Sequence, residues 1–124
     1  MQKRRPVYLN LLKIKFPASG MVSILHRASG LLLFLAIPLL LLALDRSLAS
    51  LEGFDSLAMD GHGWLSRLVV GAVLWGFLHH LFAGLRFLSL DVHRGIHLPQ
   101  ARFSARLVLL ASALSAVALA LWLW

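Results

Sequence analysis

The 124 residues contain no cysteine. Disulfide bonds, thiolate-bound iron–sulfur clusters and cysteine metal sites are therefore excluded within this chain, and cysteine usage says nothing about the redox compartment. Charged side chains are also scarce: they make up 14% of the residues, against roughly a quarter in a typical soluble domain. The hydrophobic fraction is 60%. This composition excludes an ordinary soluble domain.

The hydrophobic residues are concentrated in three segments, at about 21–44, 65–90 and 106–124. A helix needs roughly 17–25 apolar residues to cross a bilayer, and each segment is long enough. None alternates apolar and polar residues as the strands of a membrane barrel do. We therefore predict an all-α membrane protein with three transmembrane helices. Residues 1–20 would form a basic head and residues 21–124 the three-helix anchor domain.

The net charge of +7 could suggest a nucleic-acid partner, but the positions of the charges favour a membrane topology instead. Basic residues precede the first segment and lie between the second and third, whereas most acidic residues lie between the first and second. By the positive-inside rule, the N-terminus is expected on the cytoplasmic side and the C-terminus on the outer side. We expect membrane lipid, and no nucleic acid, around this chain.

Three local patterns refine this topology. Phe16-Pro17 predicts an extended or turning entry into the first helix, because a residue before proline avoids helical geometry. The glycine-containing loop at about 45–64 is expected to be irregular or to carry a short surface helix. In the third segment Ser112, Ala116 and Ala120 are spaced by four residues, which places small side chains on one face and allows a neighbouring helix to approach.

The first segment opens with polar residues on a single helical face. Ser23, His26, Arg27 and Gly30 follow the spacing i, i+3, i+4, i+7. One interpretation is an arginine that anchors a helix end by extending to the interface. The other is a binding site for a polar ligand head with carbonyl or carboxylate oxygens. A quinone suits this second site, since its oxygens need donors and its ring and tail need apolar walls.

The second segment contains two adjacent histidines. Gly76, His80 and Gly84 are spaced by four residues, which predicts room for a flat group against the helix beside the imidazole. Haem is the leading candidate, with His80 as an axial ligand; the alternative is a hydrogen bond from His80 to a neighbouring helix. His79 points about 100° away, so the two histidines do not ligate one metal together, and we expect His79 to pack or hydrogen-bond. Zinc is disfavoured, because it needs three or four protein ligands.

Two further charged residues lie near the end of the second segment. Arg86 has two functional interpretations, as a partner for a haem propionate or as a docking contact. The alternative is an arginine whose side chain extends to the membrane interface. Asp91 is interpreted as a helix-end charge. The remaining histidines, His62, His93 and His97, fall in loops and are expected to be solvated.

These motifs resemble a known family. KIKFPASGMVSILHRASG, followed by HLFAGLRFLSLD, is similar to the cytochrome b subunit of succinate dehydrogenase, the larger of its two hydrophobic membrane anchors, and RPVYLNL resembles that family's N-terminal motif. The resemblance extends over nearly the whole chain. No serine-rich, acid-poor targeting extension precedes RPVYLNL, which favours a bacterial cytoplasmic (inner) membrane over a mitochondrial one.

The resemblance implies roles for individual residues. His80 matches the haem-ligating histidine, Ser23 and Arg27 match positions that line a ubiquinone pocket, and His26 with Arg27 lies where haem propionates are approached. Phe87 departs from the pattern, since family members often have histidine there. Phenylalanine has no polar atom, so we expect no hydrogen bond to the haem edge from this position.

The resemblance also implies an assembly. A flavoprotein subunit oxidises succinate, an iron–sulfur subunit carries the electrons, and this chain with a second hydrophobic anchor subunit holds haem b and reduces ubiquinone, the substrate. The second anchor would supply the other haem histidine. Two alternatives stay open: a haem-free structural anchor of a soluble oxidoreductase, and the anchor of a fumarate reductase. An ion or proton channel is disfavoured, because polar residues do not continue through the membrane segments.

Overall fold

The computed structural model describes residues 16–124, with the side chain of Asp60 excepted, and within them every regular element is a helix. The helices are α1 (Ala18–Ala49), α2 (Leu51–Asp60), α3 (Trp64–Asp91) and α4 (Leu98–Leu123). Helices α1, α3 and α4 are long and apolar enough to cross a membrane. At about 1.5 Å per residue, each exceeds the roughly 30 Å thickness of the hydrocarbon core. The prediction of an all-α fold with three transmembrane helices is confirmed.

The three long helices pack against one another, and their closest packing uses small residues. The buried core contains Val22 from α1, Ala83 from α3, and Ala105 and Val108 from α4. Ser112 and Ala116 continue the buried face of α4, which confirms the predicted small-residue contact at these two positions. Without a hydrophobic driving force inside lipid, helices associate through such close packing and through hydrogen bonds between them.

Local signals determine where the helices begin and end. Pro17 has extended backbone dihedrals (φ −66°, ψ 155°) and precedes the first turn of α1, as its sequence context predicted. Ser50 is also extended and ends α1; its hydroxyl then accepts a hydrogen bond from the Gly53 amide, which caps α2. His93 and Gly95 have positive φ angles in the turn between α3 and α4.

The helix bounds differ from the hydrophobic segments in several places. The predicted 106–124 segment becomes a helix that begins at Leu98, with Pro99 in its first turn. Proline is favoured there because the first amides of a helix need no partner within it. The loop at about 45–64 holds α2, the short helix that the sequence allowed. Residues 1–15 of the predicted head lie outside the described residues, and α1 already begins within the predicted 1–20 range.

Candidate functional site

The polar residues of α1 and α3 meet through two stacked imidazoles. The ring centroids of His26 and His80 lie 4.1 Å apart, with an angle of 8° between the ring planes. Phe87 meets the His26 ring edge-on, at 5.2 Å and 66°. We call this pair the His26–His80 stack. It brings the α1 polar face and the predicted iron ligand into one cluster.

Hydrogen-bond acceptors on α1 hold the His80 ring. Its Nδ1 lies 3.0 Å from the His26 carbonyl oxygen and 3.2 Å from the Ser29 hydroxyl oxygen. A carbonyl only accepts, so Nδ1 carries the proton and donates. In a neutral imidazole the other nitrogen, Nε2, then has the free lone pair. Within residues 16–124, Nε2 of His80 makes no hydrogen bond.

Glycines allow α1 and α3 to approach each other at this cluster. A Cβ atom at Gly30 would lie 3.0 Å from Cε1 of His80, and one at Gly84 would lie 3.7 Å from Nε2 of His26. At Gly76 a Cβ would lie 2.9 Å from Cδ2 of Leu32. The predicted space for a flat group over Gly76 is therefore wrong, because α1 of the same chain fills it.

His79 faces the other side of α3. It is fully buried, its Nδ1 lies 3.2 Å from the Ser112 hydroxyl of α4, and it stacks on Trp75 at 5.4 Å. Its Nε2 makes no well-formed hydrogen bond among the described residues, although the Val22 backbone also interacts with the imidazole. The expectation that the two histidines diverge and that His79 packs and hydrogen-bonds is confirmed.

Ser23 and Arg27 lie together at the start of α1. Nε of Arg27 donates to the Ser23 carbonyl oxygen at 3.3 Å, and the arginine side chain is exposed. Neither the remaining guanidinium nitrogens nor the Ser23 hydroxyl hydrogen-bonds to any residue in the described part of the chain. Among residues 16–124, these groups therefore keep unused donors.

Arg86 is turned toward α4. Its Nε donates to the Ser104 hydroxyl at 3.1 Å and its Nη2 donates to the Ala101 carbonyl oxygen at 3.1 Å. The residue is buried. Two of its three nitrogens are therefore engaged between helices, and its predicted role at a haem propionate stays a prediction.

An apolar groove lies between α1 and α3, and neither His26 nor His80 is among its lining residues. Its volume is about 380 Å³ and all its lining residues are hydrophobic. Leu33 lies one turn beyond Gly30, and Phe77 lies one turn before His80 in the sequence, so both helices continue from the stack into the groove. The groove can accept an apolar group, and its lining on α3 ends one turn before His80.

This chain is similar to known membrane subunits over most of its length. A family model described as "Succinate dehydrogenase/Fumarate reductase transmembrane subunit" matches residues 1–119. The chain belongs to this family. The expectation of a membrane subunit of an oxidoreductase complex is thereby confirmed.

Two curated relatives are named "Succinate dehydrogenase cytochrome b556 subunit". The protein from Coxiella burnetii (strain RSA 493 / Nine Mile phase I) is 40% identical over 126 aligned positions, which cover the full length of both chains. The protein from Paracoccus denitrificans is 28% identical over 113 positions, covering 91% of this chain and 87% of the relative. Both names support the family that the motifs of α1 and α3 resemble.

Sequence reasoning missed three serines that hydrogen-bond to the polar side chains of this membrane subunit. Ser29 contacts His80, Ser112 contacts His79, and Ser104 contacts Arg86. Serine is common at packed faces of membrane helices, so its presence alone gives no signal. A serine can be recognised as such a partner only when it lies on a buried helical face opposite a histidine or arginine. That position is known only once the packing of the helices is known.

Proposed function

We propose that this chain is the membrane-anchor subunit of a succinate:ubiquinone oxidoreductase, that it binds haem b together with a partner anchor subunit, and that it forms part of the ubiquinone-reduction site. The observation that carries the proposal is the state of His80. Its Nδ1 is held by acceptors of α1, and its Nε2 keeps a lone pair that no described residue uses. This is the arrangement that a histidine ligand of a metal needs.

The described residues fit one side of a haem site. Haem would supply reversible one-electron transfer at its iron. His80 would ligate the iron through Nε2, and His26 and Arg27 are candidates for the propionates. His26 is stacked face to face on His80 and so would not hold the haem together with it. The second ligand is therefore assigned to a histidine of the partner anchor.

Ser23 and Arg27 are proposed to bind the quinone head. The Ser23 hydroxyl would donate to one quinone oxygen, and the Arg27 guanidinium would stabilise negative charge that develops during reduction. Hydrogen bonds to charge are strong where water is excluded. The close contact between Arg27 and the Ser23 backbone supports a shared site.

The assembly proposed here has four different subunits. Succinate would be oxidised in a flavoprotein, and an iron–sulfur subunit would pass electrons to the quinone beside this chain and the second anchor. The chain itself would do no succinate chemistry. A fumarate reductase anchor would use the same contacts in the opposite direction, and a haem-free structural anchor would leave His80 as a helix-packing residue.

The test is the reduced-minus-oxidised absorption spectrum of the purified complex with His80→Ala in this chain. We expect the spectrum of a low-spin b-type haem in the parent and its loss or conversion in the variant. His62→Ala is the matched control, because His62 is exposed between α2 and α3; it should leave the spectrum unchanged. Size-exclusion chromatography would verify that both variants still assemble. An unaltered spectrum in His80→Ala, or no haem in the parent, would favour the haem-free anchor.

A further inference from the structure

Ser29 is a buried hydroxyl at the His26–His80 stack to which the resemblance assigns no role. It is 1% exposed in the apolar part of α1. Its Oγ donates to the His26 carbonyl oxygen at 2.9 Å, three residues earlier in the helix. The same oxygen lies 3.2 Å from Nδ1 of His80 on α3. Ser29 thus contacts both the predicted iron ligand and the carbonyl that holds it.

The directions of these hydrogen bonds follow from the donors available. A serine hydroxyl has one hydrogen, and Ser29 uses it on the His26 carbonyl. The contact to His80 must then run from Nδ1–H to the lone pair of Oγ. The Nδ1–H group therefore has two acceptors, the Ser29 hydroxyl and the His26 carbonyl, and both belong to α1.

We propose that Ser29 is a positioning residue for the iron ligand His80, an inference that rests on the proposed function. The torsion between the imidazole and its Cβ is broad for histidine, and a single acceptor leaves the ring free to turn about one hydrogen bond. Two acceptors, hydrogen-bonded to each other at 2.9 Å, fix the plane of the ring and the tautomer. They also increase the electron density of the imidazole, which strengthens it as a ligand.

A second serine provides a natural comparison. Ser112 is also 1% exposed, donates to the carbonyl three residues earlier at 3.1 Å, and contacts Nδ1 of a histidine at 3.2 Å. Its histidine is His79, which faces α4 and not the groove. Ser29→Ala and Ser112→Ala therefore remove the same atom from the same kind of contact, and they differ in the histidine that they affect.

The experiment measures haem in purified complexes that contain Ser29→Ala, Ser112→Ala or the parent chain. The readouts are the rate of haem loss to an acceptor protein and the midpoint potential of the haem from a redox titration. Loss of partners that orient a metal-ligating histidine typically weakens metal binding 10- to 100-fold, so Ser29→Ala should lose haem at least about tenfold faster. Its midpoint potential should shift upward, because a less electron-rich imidazole stabilises the oxidised iron less. Ser112→Ala should match the parent in both readouts.

A second substitution at Ser29 controls for a folding defect in Ser29→Ala. Ser29→Cys keeps a side chain of similar shape but replaces the hydroxyl with a weak acceptor, and it should shift the potential in the same direction. Parent-like haem loss and potential in either Ser29 variant that assembles would overturn the proposal, and so would equal shifts in Ser29→Ala and Ser112→Ala. His80→Ala distinguishes a failure of the proposed haem site from a failure of the proposed role of Ser29. If His80→Ala abolishes the haem spectrum while Ser29→Ala changes nothing, the haem site stands and only the role of Ser29 is refuted.

Discussion

Arg27 is the residue whose exposure most needs an explanation. A charged side chain near the middle of a membrane helix costs on the order of 2.5–3.5 kcal/mol, and less near the end. Arg27 lies about two and a half turns from the start of α1, and its only hydrogen bond within the described residues goes to the Ser23 backbone. Two guanidinium nitrogens therefore remain for a ligand or for the lipid interface.

Substitution of this arginine distinguishes the two roles. If Arg27 binds the quinone, Arg27→Ala in the complex should reduce the rate of succinate-dependent quinone reduction about 10- to 100-fold, since a hydrogen bond to a charged group contributes about 1.5–3 kcal/mol. Succinate oxidation with a soluble dye acceptor should stay close to the parent rate. Both rates would be measured on the same preparation.

Arg46→Ala is the matched control for this experiment. Arg46 is an exposed arginine in the last turn of the same helix, far from Ser23. Its loss should affect neither rate. Equal losses of quinone and dye activity in Arg27→Ala would show that the substitution damages the complex as a whole, and would contradict a role in quinone binding.

At the residue scale, helical periodicity predicted the divergence of His79 and His80 but not their partners. Consecutive residues differ by about 100° around a helix, so one imidazole had to face α4 if the other faced α1. Which hydroxyl meets each imidazole depends on the rotation and depth of the neighbouring helices. Ser29 and Ser112 lie among apolar residues, and hydrophobic spacing does not distinguish them from any other small residue.

At the scale of the helices, Arg86 links two elements that are adjacent in the chain. It lies one and a half turns before the end of α3 and hydrogen-bonds to Ala101 and Ser104 in the first two turns of α4. These contacts cross the turn that contains His93 and Gly95. Because the side chain is buried, the hydrogen bonds have little competition from water. Arg86 should therefore hold the α3–α4 hairpin closed.

Arg86→Met tests this contact while keeping most of the side-chain volume. It should destabilise the protein by about 1.5–3 kcal/mol, the contribution expected for hydrogen bonds from a charged group. The change would appear as a lower midpoint of thermal unfolding of the purified complex, followed by circular dichroism. Arg86→Lys should be intermediate, since lysine keeps the charge but lacks the planar fork.

Arg106→Met provides the comparison on α4. Arg106 is exposed and makes no hydrogen bond in the described part of the chain, so its substitution should leave the unfolding midpoint near that of the parent. The role of Arg86 as an interhelical contact would be refuted if Arg86→Met unfolded at the parent temperature, or if both methionine variants shifted equally.

The existence of the three long helices was predictable, because an apolar segment that matches the thickness of the bilayer is expected to form a spanning helix. The start of α4 was not. Residues Leu98 to Ala105 include a proline, a glutamine and an arginine, and hydropathy excludes them from a membrane segment although their backbone is helical. Apolarity marks the part of a helix that lies in hydrocarbon, whereas caps and turns determine where the helix begins.

At the scale of the whole molecule, the bundle has few buried residues for its length. Large hydrophobic side chains are exposed along all three long helices, for example Leu31, Phe34 and Leu40 on α1 and Leu114 and Val117 on α4. Lipid covers such surfaces without cost, but it does not supply polar ligands. In the proposed haem site, this chain would therefore supply only one side, through Nε2 of His80.

The chain expressed alone in membranes should not hold a haem with two histidine ligands. Within the described residues, His26 is stacked face to face on His80 and His79 is bound to Ser112 on the opposite side of α3, so neither can reach the far side of an iron bound at His80. Absorption and electron paramagnetic resonance spectra of the purified lone chain should lack the low-spin signal, and co-expression with the second anchor subunit should restore it. A stable low-spin haem in the lone chain would show that the second ligand comes from this chain. A signal that stays absent after co-expression, in a complex that has assembled, would argue against a haem shared between the two anchors.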